Sequence, residues 1–301
     1  MKISITGSTG FVGQNLLSYL SGFTIAKIDR QQLADFSIQD LEGCEAIVHL
    51  AGKAHDLKKV SAPEAYYEVN FELTKKLYDA FLQSDAKKFI FISSVKAVAD
   101  VVDGVLTEEA IPDPKTDYGK SKLMAEAYIM AQDLPPSKSY YILRPCMIHG
   151  PGNKGNLNLL YQFVKRGLPF PLAGFQNKRS FLSIENLCFV IKRLLEKDIP
   201  TGIYQVADDT SLSTNEVVAL LAKAEDKRVR LWKISPKLIG FLAKLGDRLS
   251  LPLNTERLTK LTESYVVGNQ KILKVLQEKL PVSSEEGLMF TARSFGKKQP
   301  E

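Results

Sequence analysis
The sequence predicts an α/β protein: a doubly wound parallel sheet, followed by a smaller, mainly helical C-terminal region. Strand-like and helix-like segments alternate through residue 150, as a parallel sheet with crossover helices requires. The first strand runs straight into the glycine-rich turn Thr6-Gly7-Ser8-Thr9-Gly10-Phe11-Val12-Gly13, which opens a helix. Beyond Gly150-Pro151-Gly152 the alternation lapses, and from Ser213 the pattern is mainly helical.

In chain order, Lys2–Thr6 (K-I-S-I-T) alternates apolar and polar residues as a short strand does. The helix after it carries Phe11, Leu16, Leu17 and Leu20 and stops at Gly22. Gly7, Gly10 and Gly13 allow a tight turn, admit a pyrophosphate close to the main chain and let helix and strand approach. The helix N-terminus offers free amides and a positive dipole end to phosphate. The spacing is G-x-x-G-x-x-G rather than G-x-G-x-x-G; its strength lies in the strand before it and the helix after it. Residues 7–13 (Gly7, Ser8, Thr9, Gly10, Phe11, Val12 and Gly13) are therefore candidate cofactor ligands.

A second strand, residues 23–28, ends at Asp29-Arg30. In a Rossmann-type unit a carboxylate here binds the ribose hydroxyls of NAD, and a nearby arginine accommodates the 2′-phosphate of NADP. Asp29 repels a phosphate, so NAD is expected, with NADP the alternative; Arg30 lies over the adenine or in solvent. The stretch from Asp29 to the next strand is too short for a regular strand and helix. Residues 45–51 (E-A-I-V-H-L-A) form a buried strand ending in Gly52, within which His49 reads as a hydrogen-bonded core histidine. Residues 66–81 are helical, 88–94 (K-F-I-F-I-S-S) a strand, and 115–132 a helix introduced by Pro112 and Pro114. Ser139–Pro145 is the next strand. The domain reading assigns 1–150 to the dinucleotide fold, to which 181–207 returns through a helix at 184–195 and a strand at 202–207. Residues 151–180 and 208–296 form the substrate-binding region, with Ser213 or Thr214 as a helix N-cap. Residues 297–301 read as a frayed tail. There is no internal repeat and no low-complexity segment.

Tyr118 and Lys122 lie one helical turn apart in Y-G-K-S-K, so both side chains share a helix face. A phenol with a pKa near 10 is a poor acid/base at neutrality, and a neighbouring cation favours its phenolate. A serine hydroxyl at the preceding strand end, Ser94 or alternatively Ser93, then holds a substrate hydroxyl or carbonyl against that phenol. Such a trio moves a proton on and off an alcohol oxygen while hydride leaves or arrives at its carbon.

The bulk numbers exclude several classes. Hydrophobic content of 45% and charged content of 25% are those of an ordinary globular chain. Three scattered cysteines, Cys44, Cys146 and Cys188, have no metal-ligand spacing and read as reduced core thiols. With a strand starting at residue 2 there is no room for a signal peptide, and a cytoplasmic location is expected. No apolar run reaches transmembrane length. A net charge of +6 suits an anionic substrate, whereas dispersed lysines without interleaved aromatics argue against nucleic acid. No metal site is expected.

Together, T-G-S-T-G-F-V-G, H-L-A-G at 49–52, Asn70 in Y-E-V-N, F-I-S-S at 91–94, Y-G-K-S-K, L-R-P at 143–145 and R-S-F-L-S-I-E-N-L from Arg179 span nearly the whole chain. They resemble an extended short-chain dehydrogenase/reductase of the nucleotide-sugar epimerase/dehydratase kind. The resemblance implies that Ser94 is the catalytic serine, Tyr118 the acid/base, and Lys122 its activator and nicotinamide-ribose ligand. Leu50, Ala51, Gly52 and Pro145 would line the cofactor, Asn70 would order the loop beneath it, and Asp35-Phe36 would stand in for an adenine-contacting aspartate pair. Arg179 would clamp the substrate's diphosphate, with Lys53, Asn156 and Arg257 as further substrate ligands. A UDP-sugar substrate and a homodimer built on the Tyr118 helix are likewise implied.

Departures from the pattern narrow the chemistry. Where sugar 4,6-dehydratases carry Thr-Asp-Glu, this chain has Ser94-Val95-Lys96, so no carboxylate is available for dehydration. The usual tyrosine-glycine after that strand is Val98-Ala99. Two chemistries remain: 4-epimerisation of a UDP-hexose, and 4-keto reduction of a UDP-linked 6-deoxy-amino sugar. The E-E-G-L-x-x-T-A ending at 285–292 resembles a bacterial polysaccharide subgroup that includes such reductases. A catalytically silent NAD(P)-binding regulator is a reading from another class, against which stand the retained Ser94, Tyr118 and Lys122. Residues 235–251 form a basic amphipathic stretch, fit either for packing on the protein or for touching a membrane surface.

Overall fold
The structure, a computed structural model, describes residues 1–53, 62–153, 156–249 and 254–296. The first half runs β1 (Lys2–Thr6), α1 (Phe11–Tyr19), β2 (Thr24–Ile28), α2 (Arg30–Ala34), β3 (Ala46–His49), α3 (Glu64–Tyr67), α4 (Leu73–Gln83), β4 (Lys88–Ile92), β5 (Val105–Leu106), α5 (Asp117–Ala131), β6 (Ser139–Pro145) and β7 (Met147–His149). It continues with α6 (Asn156–Lys165), β8 (Phe181–Ser183), α7 (Ile184–Glu196), β9 (Gly202–Val206), α8 (Thr214–Ala224), α9 (Pro236–Leu249), α10 (Thr255–Thr262), β10 (Val266–Val267), α11 (Gln270–Leu276) and α12 (Ser284–Gly296).

Six strands form one parallel sheet in the order β2-β1-β3-β4-β6-β9. The alternation of side chains along each strand gives both faces a core. Ile3, Ile5, Val48, Ile90, Leu143 and Val206 pack with Leu16 of α1 and Leu187, Val190 and Leu194 of α7. On the other face Ile47, Phe89, Phe91 and Ile142 pack with Leu77 and Phe81 of α4 and Ala125 and Ile129 of α5. The fold is thus doubly wound. Because β2 and β3 flank β1 on opposite sides, connections leaving the carboxyl ends of β1 and β3 diverge, and a crevice opens between them.

Between Asp29 and β3 there is room only for α2 and one 3₁₀ turn, Ile38–Leu41. The expected helix at 66–81 starts earlier and is interrupted: α3 passes through a π-helical turn, Glu68–Glu72, into α4. The helix expected at 115–132 begins at Asp117, where Thr116 caps it by accepting the Gly119 amide at 3.2 Å.

A third core, with Leu157, Tyr161, Val217, Leu221, Ile239, Ala243, Leu288 and Ala292, unites α6, α8, α9 and α12. Two short parallel pairs, β7-β8 and β5-β10, tie that part to the sheet. The β5-β10 pair carries the chain near Tyr265 back beside the turn that follows β4. Residues 154–155, 250–251 and the 297–301 tail of the sequence reading lie outside the described residues.

Candidate active site
The glycine loop sits directly on the end of β3. Gly7 has φ +68°, and a Cβ there would lie 2.6 Å from the Ala51 nitrogen and 2.8 Å from the Leu50 carbonyl carbon. A Cβ on Gly13 would lie 2.4 Å from the Gly7 carbonyl oxygen. Only glycine permits either approach. The N-cap of α1 is Gly10, which makes no side-chain capping bond, so no cap competes with a ligand for the first-turn amides. This cradle fits a dinucleotide's pyrophosphate, and Ser8, Thr9, Phe11 and Val12 belong to it by position.

A buried polar chain links the loop to α5. The Ala51 amide donates to Thr6 Oγ1 (3.1 Å), and Thr6 Oγ1 meets His49 Nδ1 at 2.7 Å. On the far side His49 Nε2 meets Thr74 Oγ1 at 2.9 Å, while Thr74 donates to the Asn70 carbonyl (2.8 Å). Because Thr74 spends its only proton on Asn70, Nε2 carries the imidazole proton and Nδ1 accepts from Thr6. Burial, reinforced by the Lys122 cation, holds the His49 pKa down to about 3. His49 is a neutral structural bridge.

The π-helical turn places Asn70 at the centre of the site. Its Oδ1 accepts the Lys53 amide at 2.7 Å, and its Nδ2 donates to the Lys53 carbonyl and to Ser121 Oγ, each at 3.1 Å. Ser121 passes its own proton to the Tyr118 carbonyl (2.9 Å). The loop after β3 and the first turn of α5 therefore have one common anchor.

Within this frame Tyr118 hydrogen-bonds the Ser94 side chain. Its ring meets that of Tyr66 edge-on at 6.4 Å. Burial raises the phenol's pKa, the Ser94 bond lowers it in part, and Tyr66 raises it again. Burial thus opposes the phenolate that a neighbouring cation is expected to favour. Lys122 Nζ donates to the Ile92 carbonyl at 2.8 Å and lies over the Phe91 ring at 4.6 Å. It also stands 3.1 Å from where a Gly52 Cβ would be, facing the floor of the crevice. Desolvation pushes Lys122 down to about 8, with Glu126 acting in the opposite direction.

Ser93 and Ser94 separate cleanly. Ser93 Oγ donates to Glu126 Oε1, and Arg144 grips both oxygens of that carboxylate, with Nε 3.0 and 3.1 Å away. Glu126 and Arg144 are both buried. This pair joins α5, β4 and β6 beneath the trio. The sequence reading missed Glu126, although it lies one turn beyond Lys122 and its partner Arg144 stands in the L-R-P run.

The remaining candidates scatter. Asp29 stands at the tip of β2, but its Oδ1 accepts the amides of Gln31 and Gln32 at 2.8 Å, so the carboxylate also caps α2. Arg30 and Asp35 are exposed. Phe36 packs with Ile28, Leu33 and Leu41 in the core. Pro145 ends β6 beside Val206. Lys53 Nζ lies 5.6 Å from the Tyr66 ring centroid. Asn156 opens α6, and its side chain lies outside the described residues. Arg257 is exposed in the first turn of α10.

Arg179 is held against the C-terminal segment. Its Nη1 donates to the Lys260 carbonyl, and Nη2 lies 3.7 Å from Glu263. Nearby, Lys96 Nζ donates to the Asp100 carbonyl (2.9 Å) and lies 4.3 Å from the Tyr265 ring centroid. Burial lowers the Lys96 pKa, with Asp100 opposing. Tyr265 and Glu263, brought in by β10, had no signal in the local sequence.

Three comparisons bear on this arrangement. The family described as the NAD dependent epimerase/dehydratase family matches residues 3–207. The chain is 31% identical to a UDP-glucose 4-epimerase of Vibrio cholerae, covering 98% of this chain and 95% of that one. It is 30% identical to the N-acetyl-alpha-D-glucosaminyl-diphospho-ditrans,octacis-undecaprenol 4-epimerase of Escherichia coli O157:H7, over 76% of this chain and 73% of that one. Among solved structures, the UDP-N-acetylglucosamine 4-epimerase of Bacillus cereus superposes with a TM-score of 0.76 at 21% identity, covering 98% of each chain, a likeness of fold.

Proposed function
We propose, from the premise that the chain belongs to the NAD dependent epimerase/dehydratase family, that it inverts C4 of a UDP-linked hexose in the synthesis of a bacterial polysaccharide precursor. The observation that carries the reading is the Tyr118–Ser94 hydrogen bond above a buried Lys122 at the mouth of a dinucleotide cradle. The V. cholerae relative, matched along almost its whole length, supports the choice of substrate class. The relative acting on a lipid diphosphate-linked sugar supports the placement in polysaccharide assembly.

When bound, the nicotinamide supplies the acceptor and later the donor of the C4 hydride. The protein's own groups handle the proton. Tyr118, as the phenolate, takes it from the 4-hydroxyl, and Ser94 holds that oxygen by hydrogen bonding as it becomes a carbonyl. The Lys122 ammonium, fixed on the Ile92 carbonyl, stabilises the phenolate that receives this proton. Inversion requires the 4-keto sugar to turn over before Tyr118 returns the proton. Lys96, standing where a dehydratase presents a carboxylate, brings no carboxylate to C5, and this weighs against dehydration. Asp29 favours NAD over NADP by charge.

The same trio serves 4-keto reduction, so turnover decides between the two. Purified protein is incubated with UDP-glucose, UDP-N-acetylglucosamine and a UDP-4-keto-6-deoxy sugar, following sugar products and NAD(P)H together. Interconversion of epimers without net loss of cofactor is expected; stoichiometric oxidation of NAD(P)H overturns epimerisation in favour of reduction. Tyr118→Phe is expected to lower turnover by about 10²–10⁴-fold and to leave nucleotide affinity nearly unchanged.

A further inference from the structure
Helix α9 carries two apolar faces, and the protein uses one of them. Ile239, Ala243 and Gly246 are buried, with Ile239 and Ala243 part of the C-terminal core. About a quarter-turn away, Leu238, Phe241, Leu242, Leu245 and Leu249 share a second stripe, at helical spacings of three, four and seven residues. All five are open to solvent, Phe241 at 65% and Leu249 at 60%. Just before the helix, Trp232 is 55% exposed. A contiguous apolar patch of this kind on a monomer marks an interaction site.

The charge around the stripe selects the partner. Lys237, Lys244 and Arg248 are exposed and, spaced by seven and four residues, run along its solvent-side flank. The acid on the helix is turned elsewhere: Asp247 accepts the Thr255 amide at 3.0 Å and the Thr255 hydroxyl at 2.6 Å. We propose that this face of α9 lies on an anionic phospholipid surface, with the apolar stripe immersed among acyl chains and the cations against headgroup phosphates. A stripe of apolar residues bordered by cations, with an exposed tryptophan shortly before it in sequence, is the pattern of an interfacial helix. The contact is one of lying on the bilayer, since no described helix is long and apolar enough to cross it. A second copy packed antiparallel on the same stripe would set the three cations against their own copies, which charge disfavours.

Co-sedimentation of the full chain with vesicles tests the assignment. Binding is expected to mixed phosphatidylglycerol/phosphatidylcholine vesicles, about tenfold or more weaker to phosphatidylcholine alone, and weaker with added salt. Phe241→Glu with Leu245→Glu, and separately Lys237→Glu with Lys244→Glu, should each reduce binding by about tenfold while leaving the melting temperature and turnover of a soluble substrate unchanged. These sites are exposed, so folding is retained. Failure to bind either vesicle, equal binding by the variants, or a concentration-dependent dimer that Phe241→Glu dissolves would each overturn the proposal.

Discussion

The ionisation of one buried amine governs the site's pH response. Lys122 is almost fully enclosed, and its pKa falls to about 8 because burial disfavours the charged form. Below that value the ammonium is present in both folded and unfolded chains. Between about 8 and the ordinary lysine value of 10.5 the native lysine has released its proton while the unfolded one keeps it. Folding stability from this group therefore rises with pH across that window, and the cation needed beside Tyr118 disappears across the same window. Turnover is expected to decline as pH rises through about 8, with the protein still folded by circular dichroism. Lys122→Arg, which cannot lose its charge, should remove that alkaline limb even where its maximal rate is lower. A limb that persists unchanged in the arginine variant would assign it to another group.

At the scale of elements, α5 is the part on which the chemistry depends. Three contacts locate it. A Cβ on Gly119 would lie 2.3 Å from the Lys96 carbonyl oxygen, so α5 rests against the turn that begins at Ser94. Ser121 is held by Asn70. Glu126 is clamped by Arg144 and Ser93. Removing one partner of a buried ion pair leaves the other charged and unsolvated. Glu126→Gln is accordingly expected to destabilise the chain by about 3–5 kcal/mol, read as a shift in urea midpoint. A combined Glu126→Leu, Arg144→Met variant should recover much of that loss. No recovery would show that the pair does more than balance its own charges.

For the whole molecule, the cofactor cradle lies at the switch point of the sheet, and the short pairs β5-β10 and β7-β8 help tie the C-terminal region to it. A ligand that binds only the folded state stabilises it by mass action, about 2.7 kcal/mol at one hundred times its Kd. In a chain of this length that corresponds to a few degrees in melting temperature. NAD is expected to raise the melting temperature more than NADP at equal concentration, because Asp29 opposes the 2′-phosphate. An equal or larger shift with NADP would reverse the preference and point to Arg30.

Much was legible in the sequence because the relevant constraints are local. Strand alternation, helix periodicity and the glycine loop each act within a few residues, and together they specify the doubly wound sheet and its cradle. The Tyr118–Lys122 spacing puts two groups on one helix face before any tertiary contact forms. Other features were invisible for the opposite reason. Phe36 follows an aspartate in a loop and looks available to a ligand, yet only the packed core shows it enclosed. Tyr265 and Glu263 reach the Lys96 and Arg179 region across more than 80 residues of chain, through a two-residue strand no propensity would reveal. The direction of Arg179, the choice of Ser94 over Ser93 as Tyr118's partner, and the rise of the phenol's pKa all depend on neighbours distant in sequence. Local pattern therefore determined the fold and the chemical groups on offer; burial and long-range hydrogen bonding, which exist only once the chain has folded, decided which groups meet and in which protonation state.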